Sequence, residues 1–229
     1  MKTNAFYAVL GVGVIIMALV AWFGWRYTQE HASSQIATST PSVSSENLSG
    51  QAIYTNGAYG FSLVYPETAK LDEGFKTYYH LPAYWRANSL PNATGTPIIS
   101  VVGYRIDNDK SYPRYFDTEV RIGASKDPNE LAQCLKATVD QGETALPDVT
   151  INGTTWKAFA FQDAATMQYE KGISYRTLHE GSCFALEQLQ TGSSYRDDPA
   201  SAADVSDEKL QQEYNALGAV VKSFTFARP

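Results

Sequence analysis

Histidine and cysteine are scarce in this chain of 229 residues, with three and two copies. No HExxH, CxxC or EF-hand spacing occurs, so neither a structural nor a catalytic metal site is expected. A glycine-rich phosphate loop is also missing, and with it the usual cradle for a nucleotide cofactor. Basic residues are not in excess: 18 Lys and Arg face 24 Asp and Glu, a net charge of −6. That balance argues against a nucleic-acid partner, which calls for a basic patch. No cofactor is expected, and no catalytic residues can be assembled into a set. A modest charged fraction of 18% with 13% aromatics excludes disorder throughout.

What is present begins with a long apolar run. Residues 5–25 (AFYAVLGVGVIIMALVAWFGW) hold no charge. At about 1.5 Å rise per residue, such a helix spans about 31 Å, one bilayer core. Phe6 and Tyr7 stand at its start and Trp22, Trp25 and Tyr27 at its finish, the aromatic belt of a spanning helix. A cleaved secretory signal has a shorter apolar region of about 7–15 residues and small residues at the cut. Here the run ends in bulky Trp22-Phe23-Gly24-Trp25. Residues 1–28 are therefore expected to be a transmembrane signal anchor, with the membrane as a partner through one helix. The helix has no GxxxG pair, so tight helix dimerisation is not indicated. Lys2 precedes it and Arg26 follows it, so flanking charge gives only a slight lean in orientation.

Residues 29–50 are rich in Ser and Thr and read as a disordered linker. Residues 51–229 read as one extracytoplasmic α+β domain, which carries the whole net charge.

Within the domain, β-rich runs at 52–56 and 61–65 flank Gly57-Ala58-Tyr59-Gly60, a hairpin signal. Strands are expected at 75–81, 98–106 and 118–125. Asp127, Pro128 and Glu130 have the N-cap, N1 and N3 chemistry of a helix start. Leu131, Cys134, Leu135 and Val139 follow at helical spacing as its apolar stripe. Asn152-Gly153 is a two-residue turn between strands at 149–151 and 154–162. Residues 172–179 and 182–190 form a hairpin around Glu180-Gly181, and 192–207 read as a polar loop. A second helix starts at Ser206 or Asp207 and carries Leu210, Tyr214, Leu217, Val220 and Val221. Residues 222–227 alternate as a last strand. Turn-linked strands pair antiparallel, so the expected fold is a mainly antiparallel sheet covered by two helices.

Tyr59-Gly60-Phe61-Ser62-Leu63-Val64-Tyr65-Pro66, preceded by Tyr54-Thr55-Asn56, resembles the start of PsbP-like domains, relatives of a photosystem II extrinsic protein. The closing amphipathic helix running into Val221-Lys222-Ser223-Phe224-Thr225-Phe226 is similar to that family's end. The match covers the two ends of the domain. Glu67-Thr68-Ala69 stand where the family often has a Trp soon after the proline. The resemblance implies an α/β/α sandwich acting as an assembly or binding module rather than an enzyme. It transfers no ligand residue and no photosynthetic role.

Cys134 lies on the first helix stripe, and Cys183 in the strand that follows the Glu180-Gly181 turn. They can meet across one helix–sheet interface, and a disulfide there is worth about 4 kcal/mol in the chain-entropy model. The alternative is two independent buried thiols. With an anchor and tether ahead of the domain, the disulfide is the expectation, and it places the domain outside the reducing cytosol.

Other chemistry is thin. His179 beside Glu180 and near Cys183 makes no complete triad, because no third orienting group is present. Ser206-Asp207-Glu208-Lys209 matches an S-x-x-K spacing, but the S-D-N and K-T-G partners are missing, and N-capping accounts for Ser206. The acidic residues of 197–208 read as a solvated loop, with weak calcium binding as the alternative. Asn92-Ala93-Thr94 and Asn152-Gly153-Thr154 fit the N-glycan sequon. Tyrosine is abundant, at 15 copies. Tyr84, Trp85 and Arg86, in a proline-bounded segment, are the place where the sequence offers a binding surface. The expected function is a membrane-anchored extracytoplasmic binding or assembly module with a protein partner at the envelope. The alternative is a membrane-tethered hydrolase with an unrecognised site.

Overall fold

A computed structural model of the chain describes residues 42–48 (backbone only), 50–75, 84–89, 94–107, 115–194 and 205–227. The expected anchor, residues 1–28, lies outside the described residues. Among the described residues, no helix is long and apolar enough to cross a membrane.

Among the same residues, eleven strands form two antiparallel sheets. In chain order they are β1 (Ser42–Leu48), β2 (Gln51–Asn56), β3 (Phe61–Pro66), β4 (Lys70–Glu73), β5 (Thr96–Asp107), β6 (Tyr115–Ser125), β7 (Thr144–Ile151), β8 (Thr154–Ala165), β9 (Gln168–His179), β10 (Ser182–Ser193) and β11 (Thr225–Phe226). Helix α1 (Pro128–Gln133) follows β6, and α2 (Asp207–Ala216) and α3 (Gly218–Ser223) precede β11. The small sheet has the order β1-β2-β3-β11 and the large one β4-β5-β6-β10-β9-β8-β7. The fold is therefore mainly antiparallel with few helices, as expected. The second sheet is an addition, and β1 is a correction: its pairing with β2 begins inside residues 29–50, the stretch read as a tether.

The long hairpins β7–β8, β8–β9 and β9–β10 turn at pairs with positive φ, the signature of twist-matched two-residue turns. Asn152 and Gly153 have φ of 45° and 84°, and Glu180 and Gly181 have 46° and 72°. The third pair, Thr166 and Met167 at 47° and 64°, uses neither glycine nor asparagine, so its sequence gives no turn signal. The long registers of β8 and β10 on either side of β9 impose it.

One face of the large sheet is apolar. Val120, Ile122, Phe184, Leu186 and Trp156 pack with Tyr54, Phe61 and Leu63 of the small sheet and with Val220 and Val221 of α3. Phe224 stacks on Phe61 at 5.1 Å and meets Trp156 edge-on at 5.3 Å. The second helix breaks at Leu217, which is 2% exposed and fits over Gly103 of β5. A Cβ at that glycine would approach Leu217 Cδ2 to 2.8 Å.

Helix α1 starts as expected. Asp127 accepts from the amides of Asn129 at 2.8 Å and Glu130 at 3.4 Å, with Pro128 next. It ends sooner than its stripe predicts: Leu135 and Val139 are 40% and 72% exposed. The chain leaves the helix at Cys134, and buried Glu143 draws the next segment back over the sheet toward Arg176. The Glu143–Arg176 pair and the Cys134–Cys183 disulfide hold the chain on this path in place of another turn of helix. Other expectations shift too. Phe75 lies beyond a strand, since β4 occupies Lys70–Glu73 instead, and residues 76–83 lie outside the described ones. Lys222 and Ser223 still belong to α3, leaving only Thr225–Phe226 as the last strand. Gly192 and Ser193 end β10 rather than begin a loop.

Candidate functional site

Strand alternation sends every second residue of β6 to the face away from the apolar core. Those residues are Asp117, Glu119, Arg121, Gly123 and Ser125, all buried. The registers bring Glu187 of β10 and Ser100 of β5 opposite Arg121, and Ser174 of β9 opposite Glu187. The result is a charged, buried face.

Three arginines organise it. Arg121 pairs with Glu119 at 2.7 Å and Glu170 at 3.4 Å, and the Phe75 ring lies 5.2 Å from its guanidinium. Ser100 Oγ donates to the other Glu119 oxygen. Arg176 pairs with Glu143, donates to Ser174 Oγ and the Lys136 carbonyl at 3.1 Å each, and lies 4.4 Å over the Phe159 ring. Arg86 lies 3.6 Å from Glu143 and 3.7 Å from Glu130. The Ala87 amide donates to Glu187 Oε2 at 2.8 Å. At the edge, Arg105 bridges Asp117 at 2.5 Å and Asp72 at 2.6 Å.

Glu119, Glu130, Glu143, Glu170 and Glu187 outnumber Arg86, Arg121 and Arg176, and burial makes an uncompensated carboxylate costly. Burial pushes Glu170 up to about 7, against the pull of Arg121. It raises Glu187 as well, against the Ala87 amide that favours the charged form. For Arg121, burial works against the cation, but Glu119 and Glu170 outweigh it and the pKa stands above its ordinary value.

Residues 84–89 and α1 roof this face. Trp85 drops into a slot made by two glycines: a Cβ at Gly123 would lie 1.9 Å from the Trp85 carbonyl oxygen, and one at Gly95 2.3 Å from its Cγ. Trp85, Cys134, Cys183 and Ala185 form one apolar cluster, and Cys134 is bonded to Cys183. The disulfide ties α1 to β10, as the helix–sheet argument anticipates.

Cavities among the described residues include three that bear on the site. One of 540 Å³ sits at the β4–β5 edge beside Lys70, Asp72, Phe75 and Arg105. One of 350 Å³ lies between β7 and α3, beside Val149, Tyr175, Gln188 and Val221. One of 330 Å³ lies between the sheet and α2. None of the three is lined by Glu119, Glu170 or Glu187.

The residues singled out from the sequence fall as follows. Tyr84 is half-buried, but Trp85 and Arg86 are only 2% and 3% exposed. They face the interior of the domain as the roof of the charged face, which corrects their assignment to an exposed binding surface. His179 stacks on Phe226 at 3.7 Å, and Cys183 is in the disulfide, so the two make no nucleophile–base pair. Ser206 Oγ accepts from the Lys209 amide as an N-cap. Lys209 is paired with Glu213, a hydrogen bond that raises its pKa, whereas an S-x-x-K base needs a neutral amine. Asp197, Asp198 and Asp204 lie outside the described residues, as do His31 and His80. Among the described residues, no group of three or more His, Cys, Asp or Glu could hold a metal ion. Sequence reasoning missed the arginine–glutamate face. Its signal is the D-T-E-V-R run of β6, which sets opposite charges two apart on one side of a strand.

No protein-family model matches the chain, and no curated protein matches it. Among solved structures, it is similar to the solution structure of cyanobacterial PsbP (CyanoP) from Synechocystis sp. PCC 6803. The two share 8% identity with a TM-score of 0.37, over 80% of this chain and 97% of that one. A likeness at that level is one of general arrangement, and nothing about ligands or partners follows from it.

Proposed function

We propose that the protein is a membrane-anchored binding or assembly module whose domain works outside the reducing cytoplasm. The observation that carries this reading is the Cys134–Cys183 disulfide, because thiols in a reducing cytosol stay reduced. The uncharged run at residues 5–25 supplies the anchor in the same reading. A binding role, rather than catalysis, is supported by what the polar groups do. Beneath the roof, Glu119 and Glu143 are used in ion pairs with Arg121 and Arg176 and Glu187 accepts from the Ala87 amide, and no nucleophile–base–orienter set is recognised among the described residues.

The test is thiol labelling in denaturant, with and without reductant, on protein taken from native membranes. It is combined with protease shaving of intact cells. Expected are labelling only after reduction and loss of the domain to external protease. Where an outer membrane encloses the cell it is first removed, so that only the anchoring membrane shields the cytoplasm. Two free thiols, or a domain still protected until that membrane is opened, would overturn the reading. Cross-linking in intact membranes should then recover a discrete partner, whereas a monomer under every cross-linking condition counts against assembly.

The membrane-tethered hydrolase is the second reading, favoured by the raised pKa values of Glu170 and Glu187. It requires substrate to reach those carboxylates. Hydrolysis of ester or glycoside substrates that vanishes in Glu187→Gln would support it over the binding module.

A further inference from the structure

The 330 Å³ cavity between the large sheet and α2 differs from the other two in its lining. Gln162, Lys171 and Gln190 form one row across β8, β9 and β10, because Lys171 is opposite both glutamines. Tyr169 stands two residues from Lys171 on the same face, and Asp207 and Gln211 come down from α2. Among the described residues, no aliphatic side chain lines it. Gly192, opposite Tyr169, leaves room for the ring: a Cβ there would come within 3.1 Å of the Tyr169 oxygen. Gln190 is 3% exposed, and its Nε2 donates to that oxygen at 2.5 Å, which fixes the carboxamide before any ligand arrives. The Lys171 ammonium lies 5.6 Å over the Tyr169 ring.

We propose that this cavity binds a neutral, hydroxyl-rich ligand of one or two sugar rings. Each carboxamide carries an acceptor oxygen and two N–H donors. Gln190 spends one donor on Tyr169 and Gln211 one on Asn215 at 2.9 Å, which leaves an acceptor and a donor on each for sugar hydroxyls that themselves donate and accept. Three such groups, from two strands and one helix, surround the space. Among the described lining residues, one cation and one carboxylate balance, so a multiply charged ligand finds no matching field from them. The polar lining is a poor match for a lipid chain or an apolar peptide anchor. The volume stands at the small end of the range for ligand pockets, about 300–1,000 Å³. The inference deepens the binding-module reading by naming a ligand class, and it depends on neither anchor nor disulfide.

The experiment is calorimetric titration of the full-length protein in a detergent without a sugar head group. The probes are glucose, galactose, N-acetylglucosamine, cellobiose and chitobiose, with inorganic phosphate and glycine as charged probes. At least one sugar should bind saturably with a Kd of about 1 mM or tighter, and neither charged probe should bind. Gln162 and Gln211 are exposed, so Gln162→Ala and Gln211→Ala preserve the fold. Each should weaken sugar binding about fivefold, the effect of one hydrogen bond. Binding of no sugar, binding of phosphate or glycine instead, or sugar affinity unchanged in both variants would overturn the proposal. Each of these results leaves thiol state and protease access untouched, so failure here is distinct from failure of the topology.

Discussion

On one face of the large sheet, Val120, Ile122, Phe184 and Leu186 meet the small sheet and α3. On the other face, one residue along the same strands, Arg121 pairs with Glu119, and Glu187, opposite Arg121 in register, accepts from the roof of residues 84–89. Along β6 and β10 both faces are withdrawn from water. The apolar face is held by area and shape, which are non-directional, so it tolerates swaps that conserve volume. The charged face is held by partners, and each group there is costly once its partner is gone. The difference also fixes register. A slip of one residue between β6 and β10 would turn Arg121 into the aromatic core and Ile122 into the ion pairs.

The largest expected effect is on the apolar face. Phe224 is 1% exposed and touches three aromatic rings, so Phe224→Ala should lose about 4–5 kcal/mol in chemical denaturation. A loss below about 1 kcal/mol would mean the small sheet is not held by this cluster. Next, Arg121→Met should lose about 4 kcal/mol, because Glu119 and Glu170 stay buried without their cation. Adding Glu119→Gln and Glu170→Gln should recover more than half of it. If the triple variant is no better than the single one, the cost is packing and the two faces are alike.

Reduction of the disulfide should cost about 4 kcal/mol, and Cys134→Ser with Cys183→Ser should match it. Hydrogen exchange should then accelerate in the roof and at Ala87 before it does in α3. Uniform acceleration would deny the roof a separate stability.

The pH dependence comes next in size. Glu170 is raised from 4.5 to about 7 in the folded protein. Between those values, the folded state keeps a proton that the unfolded chain releases. Stability therefore falls as pH rises across that window, and this group adds no further slope above it. The expected fall is about 3 kcal/mol, flattened in Glu170→Gln, read as denaturation midpoints at pH 5 and pH 8. A midpoint that climbs between those two values would show a carboxylate held charged instead. The smallest effect is at the surface: Lys157 and Asp148 pair at 2.8 Å but are each 45% exposed. Lys157→Ala should cost less than about 1 kcal/mol, and high salt should remove even that.

These two faces also mark where the sequence is readable. The Asp127 cap, the Asn152-Gly153 and Glu180-Gly181 turns and the Ser206 cap are written in a few adjacent residues, and each is found where local chemistry puts it. The pairing of Cys134 with Cys183 is legible because both elements show their apolar side. The Thr166–Met167 turn is not, since long-range pairing forces it against local preference. Nor is the charged face. Alternation along Asp117-Thr118-Glu119-Val120-Arg121 says that two sides differ, but not that the polar side is covered. The Trp85-Arg86 pair misleads for a related reason: groups typical of an interface are used here within one chain. The polar cavity under α2 gathers residues 162 to 211 on one sheet face, a neighbourhood that only the β8–β9–β10 register reveals.

The side chain of Asn152 donates its amide to two carbonyls at the end of α3, Lys222 at 3.0 Å and Phe224 at 2.9 Å. Its nitrogen is also the acceptor atom of an N-glycan sequon, completed by Thr154. The two uses exclude each other. In a yeast, insect or mammalian secretory pathway, oligosaccharide transfer to Asn152 before the hairpin closes would consume the donor that fastens the final helix. A host without that modification is therefore the appropriate one for producing the protein. Elsewhere, Thr154→Val would spare the chain, because it removes the sequon and leaves Asn152 in place.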